Sequence, residues 1–351
     1  MRTCKFVVVF FFVIFIANYS HAAKIIDKPW HHTSNGFRNP KGSPQKNSWI
    51  KRVPWLLNRP FKLMFSGSPK LPANHVMKKE EVMNGLRTTA GKNTVTWLGH
   101  MTALLRIDGK SILTDPWLTS HASPVRPLGP KRYVKPALTI KELPMINFIV
   151  ISHSHFDHLD LPTIRMMPNR EKIIAIVPLG IGKYFQEYGY GKIIELDWEE
   201  SVTEDGISFT ALPVIHWSKR SVFTTNDTLW ASWSIEGSGG TRIFFGGDAE
   251  YGPIYKAIAE KHGGFDLSLL SIGAFLPRVV MHGSHCVPED CIKIGNDMKA
   301  NNHLGMHWGT APLGDDKPLE AIRRFRNGAK KLGIPKEQVW ILKIGETRVI
   351  K

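Results

Sequence analysis

The chain has 351 residues, with 46 Lys+Arg against 30 Asp+Glu and a formal charge of +16. At 42% hydrophobic and 22% charged residues it is not a disordered chain, and Gly 30 and Pro 23 are too ordinary for a collagen-like or low-complexity one. Three Cys exclude a disulfide-stapled miniprotein, and the length allows one large domain or two ordinary ones with a sizeable core.

Arg2 and Lys5 precede an uninterrupted apolar run over 6–17, and polar residues 18–21 lead to Ala22 and Ala23. This is the pattern of a secretory signal peptide over 1–22, with Ser20 and Ala22 as the small residues before the cut. The run rises only about 18 Å as a helix, short of a ~30 Å hydrocarbon core, so an uncleaved anchor is the alternative reading. Cys4 lies ahead of the apolar run, a poor place for lipid attachment. Removal of 1–22 takes Arg2 and Lys5 and leaves +14 over 329 residues. Export would leave Cys286 and Cys291 either as a disulfide or as two free thiols.

Residues 23–93 are basic and rich in Pro, Gly, Trp and His, without sustained periodicity. They read as an irregular extension draped over a core. From Thr94 the texture changes, and 94–351 reads as the folded domain. Strands are expected at 94–98, 103–107, 111–113, 147–151, 173–177, 207–213, 229–235, 241–245, 267–272, 304–306, 339–342 and 347–350. Helices are expected at 181–188, 252–262, from Pro288 through 289–299, and at 318–332. Strand clusters with interspersed helices indicate an α/β sandwich.

The chemistry sits at strand ends. The buried-type strand 147–151 runs into Ser152-His153-Ser154-His155-Phe156-Asp157-His158-Leu159-Asp160. Three His and one Asp within six residues, with no Cys nearby, suit a borderline cation such as Zn²⁺. On an extended segment His153 and His155 point the same way, while Asp157 and His158 follow as the chain turns and can face a second ion. One metal rarely takes four ligands this close, so a two-metal site completed from elsewhere is the more natural reading. His216, Asp248 and His307 each follow a predicted strand. Any one alone would ordinarily be structural. Their conjunction with the motif makes them ligand candidates.

This array resembles the metallo-β-lactamase superfamily of binuclear metallohydrolases. The resemblance implies a four-layer αβ/βα sandwich, here carrying the irregular N-terminal extension. It implies a first metal on His153, His155 and His216, a second on Asp157, His158 and His307, and Asp248 bridging both. The spacings, 58 residues from His158 to His216, 32 more to Asp248 and 59 more to His307, follow the family's order. Phe37-Arg-Asn-Pro40, Thr96-Trp-Leu-Gly-His100, Thr114-Asp-Pro-Trp-Leu118, Gly129-Pro-Lys-Arg132, Gly273-Ala-Phe-Leu-Pro-Arg278 and His307-Trp-Gly-Thr310 are similar to the branch that hydrolyses N-acylphosphatidylethanolamine in the manner of a phospholipase D. His285 before Pro288-Glu289 matches a further histidine of that branch. Leu276 stands where an acidic residue is usual, Val279 where Trp is usual, and Cys286-Val287 where an apolar-acidic pair is usual. Those departures leave the head group open.

The mechanism this implies uses two divalent ions, Zn²⁺ first and Mn²⁺ or Fe²⁺ as N/O-compatible alternatives, about 3.5–4 Å apart with a bridging hydroxide as nucleophile. Asp157 and Asp248 are catalytic through the metals. His285 binds the phosphate or protonates the leaving oxygen, or else is a surface His ahead of a helix. Asp160 reads as the acceptor of a hydrogen from a ligating imidazole. His100 either sits near the site or is a structural strand-end His. Arg278 pairs with phosphate or forms a surface salt bridge. The expected function is a phospholipase D-type phosphodiesterase acting on N-acylphosphatidylethanolamine-like phospholipids. A lactonase or amide hydrolase would use the same hydroxide, and a metal-binding envelope protein is the non-enzymatic alternative. The resemblance and the leader together place the protein in the periplasm or at the membrane of a Gram-negative bacterium. Export and the scatter of basic residues argue against nucleic acid. With export and the resemblance, the positive charge points to an anionic lipid surface, where each Lys or Arg is worth about 1 kcal/mol. The segment 30–65 either docks on lipid or straps the core.

Overall fold

The computed structural model describes residues 28–65, 69–126, 128–221 and 223–351. The leader at 1–22, with Cys4, lies outside the described residues. Among the described residues no helix is long and apolar enough to cross a membrane.

The chain opens with a small hairpin, β1 (His32–Thr33) and β2 (Gly36–Phe37), then helices α1 (Trp49–Phe65) and α2 (Lys79–Thr88). The first half continues with β3 (Thr94–Gly99), β4 (Thr102–Ile107), β5 (Lys110–Thr114), β6 (Phe148–Val150), α3 (Leu161–Met166), β7 (Ile174–Pro178), α4 (Lys183–Gln186) and β8 (Lys192–Leu196). The second half holds β9 (Ser201–Glu204), β10 (Ile207–Leu212), β11 (Ser232–Gly237), β12 (Arg242–Phe245), α5 (Ile254–His262), β13 (Phe265–Ser271), α6 (Arg278–Met281), α7 (Pro288–Asp297), β14 (Ala300–Met306), α8 (Pro318–Lys331) and β15 (Val339–Trp340). The last strand, β16 (Thr347–Val349), returns to the first half and pairs antiparallel with β3.

Among the described residues these strands form two seven-stranded sheets, in the orders β16-β3-β4-β5-β6-β7-β8 and β15-β14-β13-β12-β11-β10-β9. The first sheet is buried on both faces, and its two-residue side-chain period shows where each face goes. Leu105, Phe148, Val150 and Ile176 join one core with Phe209, Trp233, Ile243 and Leu269 of the opposite sheet. Their neighbours Leu104, Ile149, Ile151, Ala175 and Val177 join a second core with Val82 and Leu86 of α2, Ile164 of α3 and Phe185 of α4. Tyr255 of α5, Ile292 of α7 and Phe325 of α8 close the far face of the second sheet. The result is the four-layer α/β sandwich of the metallo-β-lactamase fold.

The N-terminal region departs from the sequence reading. It is not irregular, because α1 and α2 are helices and Val82 and Leu86 belong to the core. Pro54 and Pro60 lie inside α1 and read as breakers. Both fall on its exposed face, where water can take the carbonyls that a proline leaves unbonded. Asp315 anchors the helix, accepting from Trp55 Nε1 at 2.9 Å and Arg59 Nη1 at 3.2 Å. Upstream, His31 and His32 set their Nε2 atoms against the two oxygens of Asp197, each at 2.6 Å, and clamp the hairpin to the second half. Strands β8 and β9 were not expected either. They are partly exposed edge strands, with too few buried side chains to show an apolar run.

Trp233 links packing to the site. It is fully buried between the sheets, and its indole N–H donates at 2.9 Å to the carbonyl of Ile151, one residue before Ser152 opens the histidine motif. Trp233→Ala is expected to destabilise the fold by about 3–5 kcal/mol in denaturant titration. A loss below about 1 kcal/mol would contradict the packing described.

Candidate metal centre

Strand β6 ends at Val150, and the histidine motif turns across the mouth of the sandwich beyond it. Gly247 sits at φ +58°, and a Cβ there would lie 2.6 Å from the Cβ of Ser152. Only glycine lets the Asp248 loop approach the motif so closely. Two site histidines, His100 and His307, hold left-handed backbone at φ 55° and 67°, and the His307 amide donates to the His100 carbonyl at 3.0 Å. Non-glycine residues adopt that conformation at a cost, and such strain is typical of functional sites.

The structure brings the ligand candidates together in two groups. In the first, His155 Nδ1 lies 2.7 Å from His153 Nε2 and 3.3 Å from His216 Nε2. In the second, Asp157 Oδ2 lies 3.4 Å from His158 Nε2 and 3.7 Å from His307 Nε2. Asp248 stands between them. Its Oδ2 is 3.9 Å from His153 Nε2, 3.8 Å from His216 Nε2 and 3.1 Å from His158 Nε2, while its Oδ1 is 3.2 Å from His307 Nε2.

The donor set fits divalent metal. The Nε2 atoms of His158 and His307 are buried with no hydrogen-bond partner, and the converging nitrogens and carboxylate oxygens are ligand types for Zn²⁺, Mn²⁺ or Fe²⁺. Burial pushes the His153 and His216 imidazoles well below their usual range and His155 down to about 3, which leaves them neutral, as ligands must be. Burial also opposes charge on His158, yet the carboxylates of Asp248, Asp157 and Asp115 together hold it well above the usual range. A cation in this group would replace that proton. Burial disfavours charge on Asp157 and Asp248 too, but the surrounding imidazoles keep both carboxyls well below their usual range.

The other candidates fall in different places. His100 is at the site, fully buried, and its Nε2 donates to Asp157 Oδ2 at 2.9 Å. His285 lies on the opposite wall, its Nε2 3.8 Å from Asp248 Oδ2, and burial holds its imidazole down to about 3. Asp160 corrects an expectation. Its carboxylate is taken by Thr119 at 2.6 Å, Thr163 at 2.5 Å and Arg126 at 3.1 Å, at the start of α3 and turned from the imidazoles. Arg278 takes the salt-bridge alternative. Its guanidinium pairs at 2.6 Å with the buried Glu250 and also donates to the His285 carbonyl, so it braces the His285 loop rather than facing a phosphate. Cys286 and Cys291 form a disulfide beside His285.

Three supporting residues were not assigned from sequence. Asp115 takes the role expected of Asp160: its Oδ2 accepts from His158 Nδ1 at 2.6 Å, and its Oδ1 accepts from the Ser152 amide at 2.7 Å. Its signal was the Thr114-Asp-Pro run, noted without a role. Asn39, in the Phe37-Arg-Asn-Pro40 run, accepts from the His216 amide at 3.1 Å and donates to its carbonyl at 2.8 Å. Arg220 ties the motif loop by donating to the carbonyls of Ser154 at 2.9 Å and Leu159 at 2.7 Å. No pattern around Arg220 marks it.

Comparison with known proteins agrees with this geometry. The beta-lactamase superfamily domain matches residues 110–308, more than half of the chain, and the chain belongs to the metallo-β-lactamase superfamily. An uncharacterised protein of Mycobacterium tuberculosis is 36% identical over 252 residues, covering 70% of this chain and 67% of that protein. The N-acyl-phosphatidylethanolamine-hydrolyzing phospholipase D 1 of Caenorhabditis elegans is 36% identical over 230 residues, 62% of this chain and 64% of that one. A solved metallo-hydrolase from the archaeon Ignicoccus hospitalis shares the fold at a TM-score of 0.55 and 18% identity, covering 74% of this chain and 99% of that one. The protein is a metal-dependent hydrolase of this fold.

Asp115→Asn keeps the shape of the side chain but removes the charge that holds His158. It is expected to weaken metal binding by about 10–100-fold in a chelator competition titration. Unchanged affinity would contradict the role given to Asp115.

Proposed function

We propose that the protein is a binuclear phosphodiesterase of phospholipase D type, acting on N-acylphosphatidylethanolamine-like phospholipids. The observation that carries this reading is the sharing of Asp248 between two complete donor groups, joined to the resemblance to a phospholipid hydrolase over most of the domain. His153, His155 and His216 would hold one ion, Asp157, His158 and His307 the other, and Asp248 both. Zinc suits this N/O set best. Such ions supply a water acidic enough to attack at neutral pH and positive charge for the oxygens of the transition state.

The chain's own residues do the rest. The Asp115 carboxylate and the Ser284 carbonyl take the Nδ1 protons of His158 and His216, at 2.6 Å and 2.7 Å, so both rings turn Nε2 inward. His100 orients Asp157. His285, neutral across the physiological range, can donate a hydrogen bond to a phosphoryl oxygen opposite Asp248. Helix α1 supports action at a lipid surface. It exposes Trp49, Ile50, Leu57 and Phe61 beside the exposed Lys51, and its first turn has no acidic residue. The leader pattern supports an exported protein, periplasmic or membrane-associated in a Gram-negative bacterium.

A substrate panel tests this reading. Metal-loaded protein is expected to hydrolyse bis-p-nitrophenyl phosphate and an N-acylated phosphatidylethanolamine, and to leave nitrocefin and a homoserine lactone largely untouched. Turnover of the lactone alone would overturn it.

A further inference from the structure

A groove of about 1020 Å³ opens beside the first donor group, with His155, His216 and His285 on its floor. Arg38, Lys41, Lys46, Arg52 and Lys219 line its walls, and among the described residues that line it none is Asp or Glu. Lys46 reaches the floor through Trp217. Its ammonium lies 3.4 Å from the centre of the Trp217 ring, and that ring meets the His155 imidazole edge-on at 4.6 Å. The ammonium is therefore one indole ring away from a candidate metal ligand. Arg52 Nε is buried in the same wall with no hydrogen-bond partner.

Converging cations without a carboxylate are costly in a partly dehydrated wall. The cost shows in Lys46. Burial, with Arg52 and Lys219 adding to it, holds its amine down to about 6. An anion placed among the three would restore the charge on Lys46, engage Arg52 Nε and face Lys219. Trp217 would fix its distance from the reacting centre. We propose that this groove is a subsite for a second anionic group, a phosphate or a carboxylate, carried on the same substrate as the bond that is cleaved. The proposal rests on the hydrolase reading above. Within that reading it makes the preferred substrates those whose head group has an anion a short polyol or amino-acid spacer beyond the diester. It also accounts for the open head-group question, because a bare N-acylethanolamine would leave these cations unmatched.

Two matched pairs of dioctanoyl lipids, used as monomers so that no membrane surface is present, test it. Phosphatidylglycerol phosphate against phosphatidylglycerol isolates an added phosphate. Phosphatidylserine against phosphatidylethanolamine isolates an added carboxylate. With metal-loaded protein, kcat/KM is expected to favour the doubly anionic member of at least one pair by tenfold or more, on the order of one charge-assisted hydrogen bond. The preferred pair names the anion. Lys46→Met, which keeps the stem on Trp217, and Lys219→Met are each expected to bring that ratio towards one. Quenching of tryptophan fluorescence by the same lipids gives a binding ratio that does not depend on turnover. If neither pair is hydrolysed, the binding ratio still decides the subsite, while turnover of the N-acylated phosphatidylethanolamine in the panel above decides the function. Equal kcat/KM and equal affinity within both pairs, or a preference that survives in both Lys variants, would overturn the subsite.

Discussion

Asp248 is buried, and its two oxygens turn towards different histidines: Oδ2 towards His158, His153 and His216, Oδ1 towards His307. A carboxylate in that position cannot stand without positive charge around it. Burial opposes charge on the surrounding imidazoles, and the carboxylates draw positive charge onto His158 and His307 by pushing both above their usual range. Two divalent ions would supply it better, because they satisfy the buried Nε2 atoms as well. This one constraint explains why five imidazoles and two carboxylates converge in the interior of a basic protein.

Holding that arrangement takes a second tier of residues. The rings of His158 and His216 are turned by Asp115 and the Ser284 carbonyl, and Asp248 Oδ1 also accepts from Ser271 at 2.9 Å. The loops are held as firmly. Arg220 braces the motif, Asn39 braces His216, and the Glu250–Arg278 pair braces His285. Much of this support comes from outside the strands that deliver the ligands. The N-terminal region is part of the machinery for that reason. It contributes Asn39, which holds the His216 backbone, and Lys46, Trp49 and Arg52 to the groove beside the site.

What could be read from sequence follows from how local each signal is. His153, His155, Asp157 and His158 are close in the chain, and His216, Asp248 and His307 follow recognisable strands, so the structure gathers residues that spacing had already singled out. The buried strands of both sheets were legible because runs such as 148–151 are continuously apolar. Asp160 and Asp115 show the limit. Both are acids near the motif, and proximity in the chain favoured Asp160. Pairing of β5 with β6 is what carries Asp115 beneath His158, and that is a long-range fact. Arg220 and the true partner of Arg278 were hidden for the same reason. Helix α1 was missed because its prolines look like breakers until one sees that both face solvent.

The central claim is that the site holds two ions bridged by Asp248. Titration of the metal-free protein with Zn²⁺, read by calorimetry and by metal content after gel filtration, tests it most directly. The account predicts saturation at two equivalents per chain, with Asp248→Ala losing both. Saturation at one equivalent, or an Asp248→Ala variant that still binds two, would contradict it.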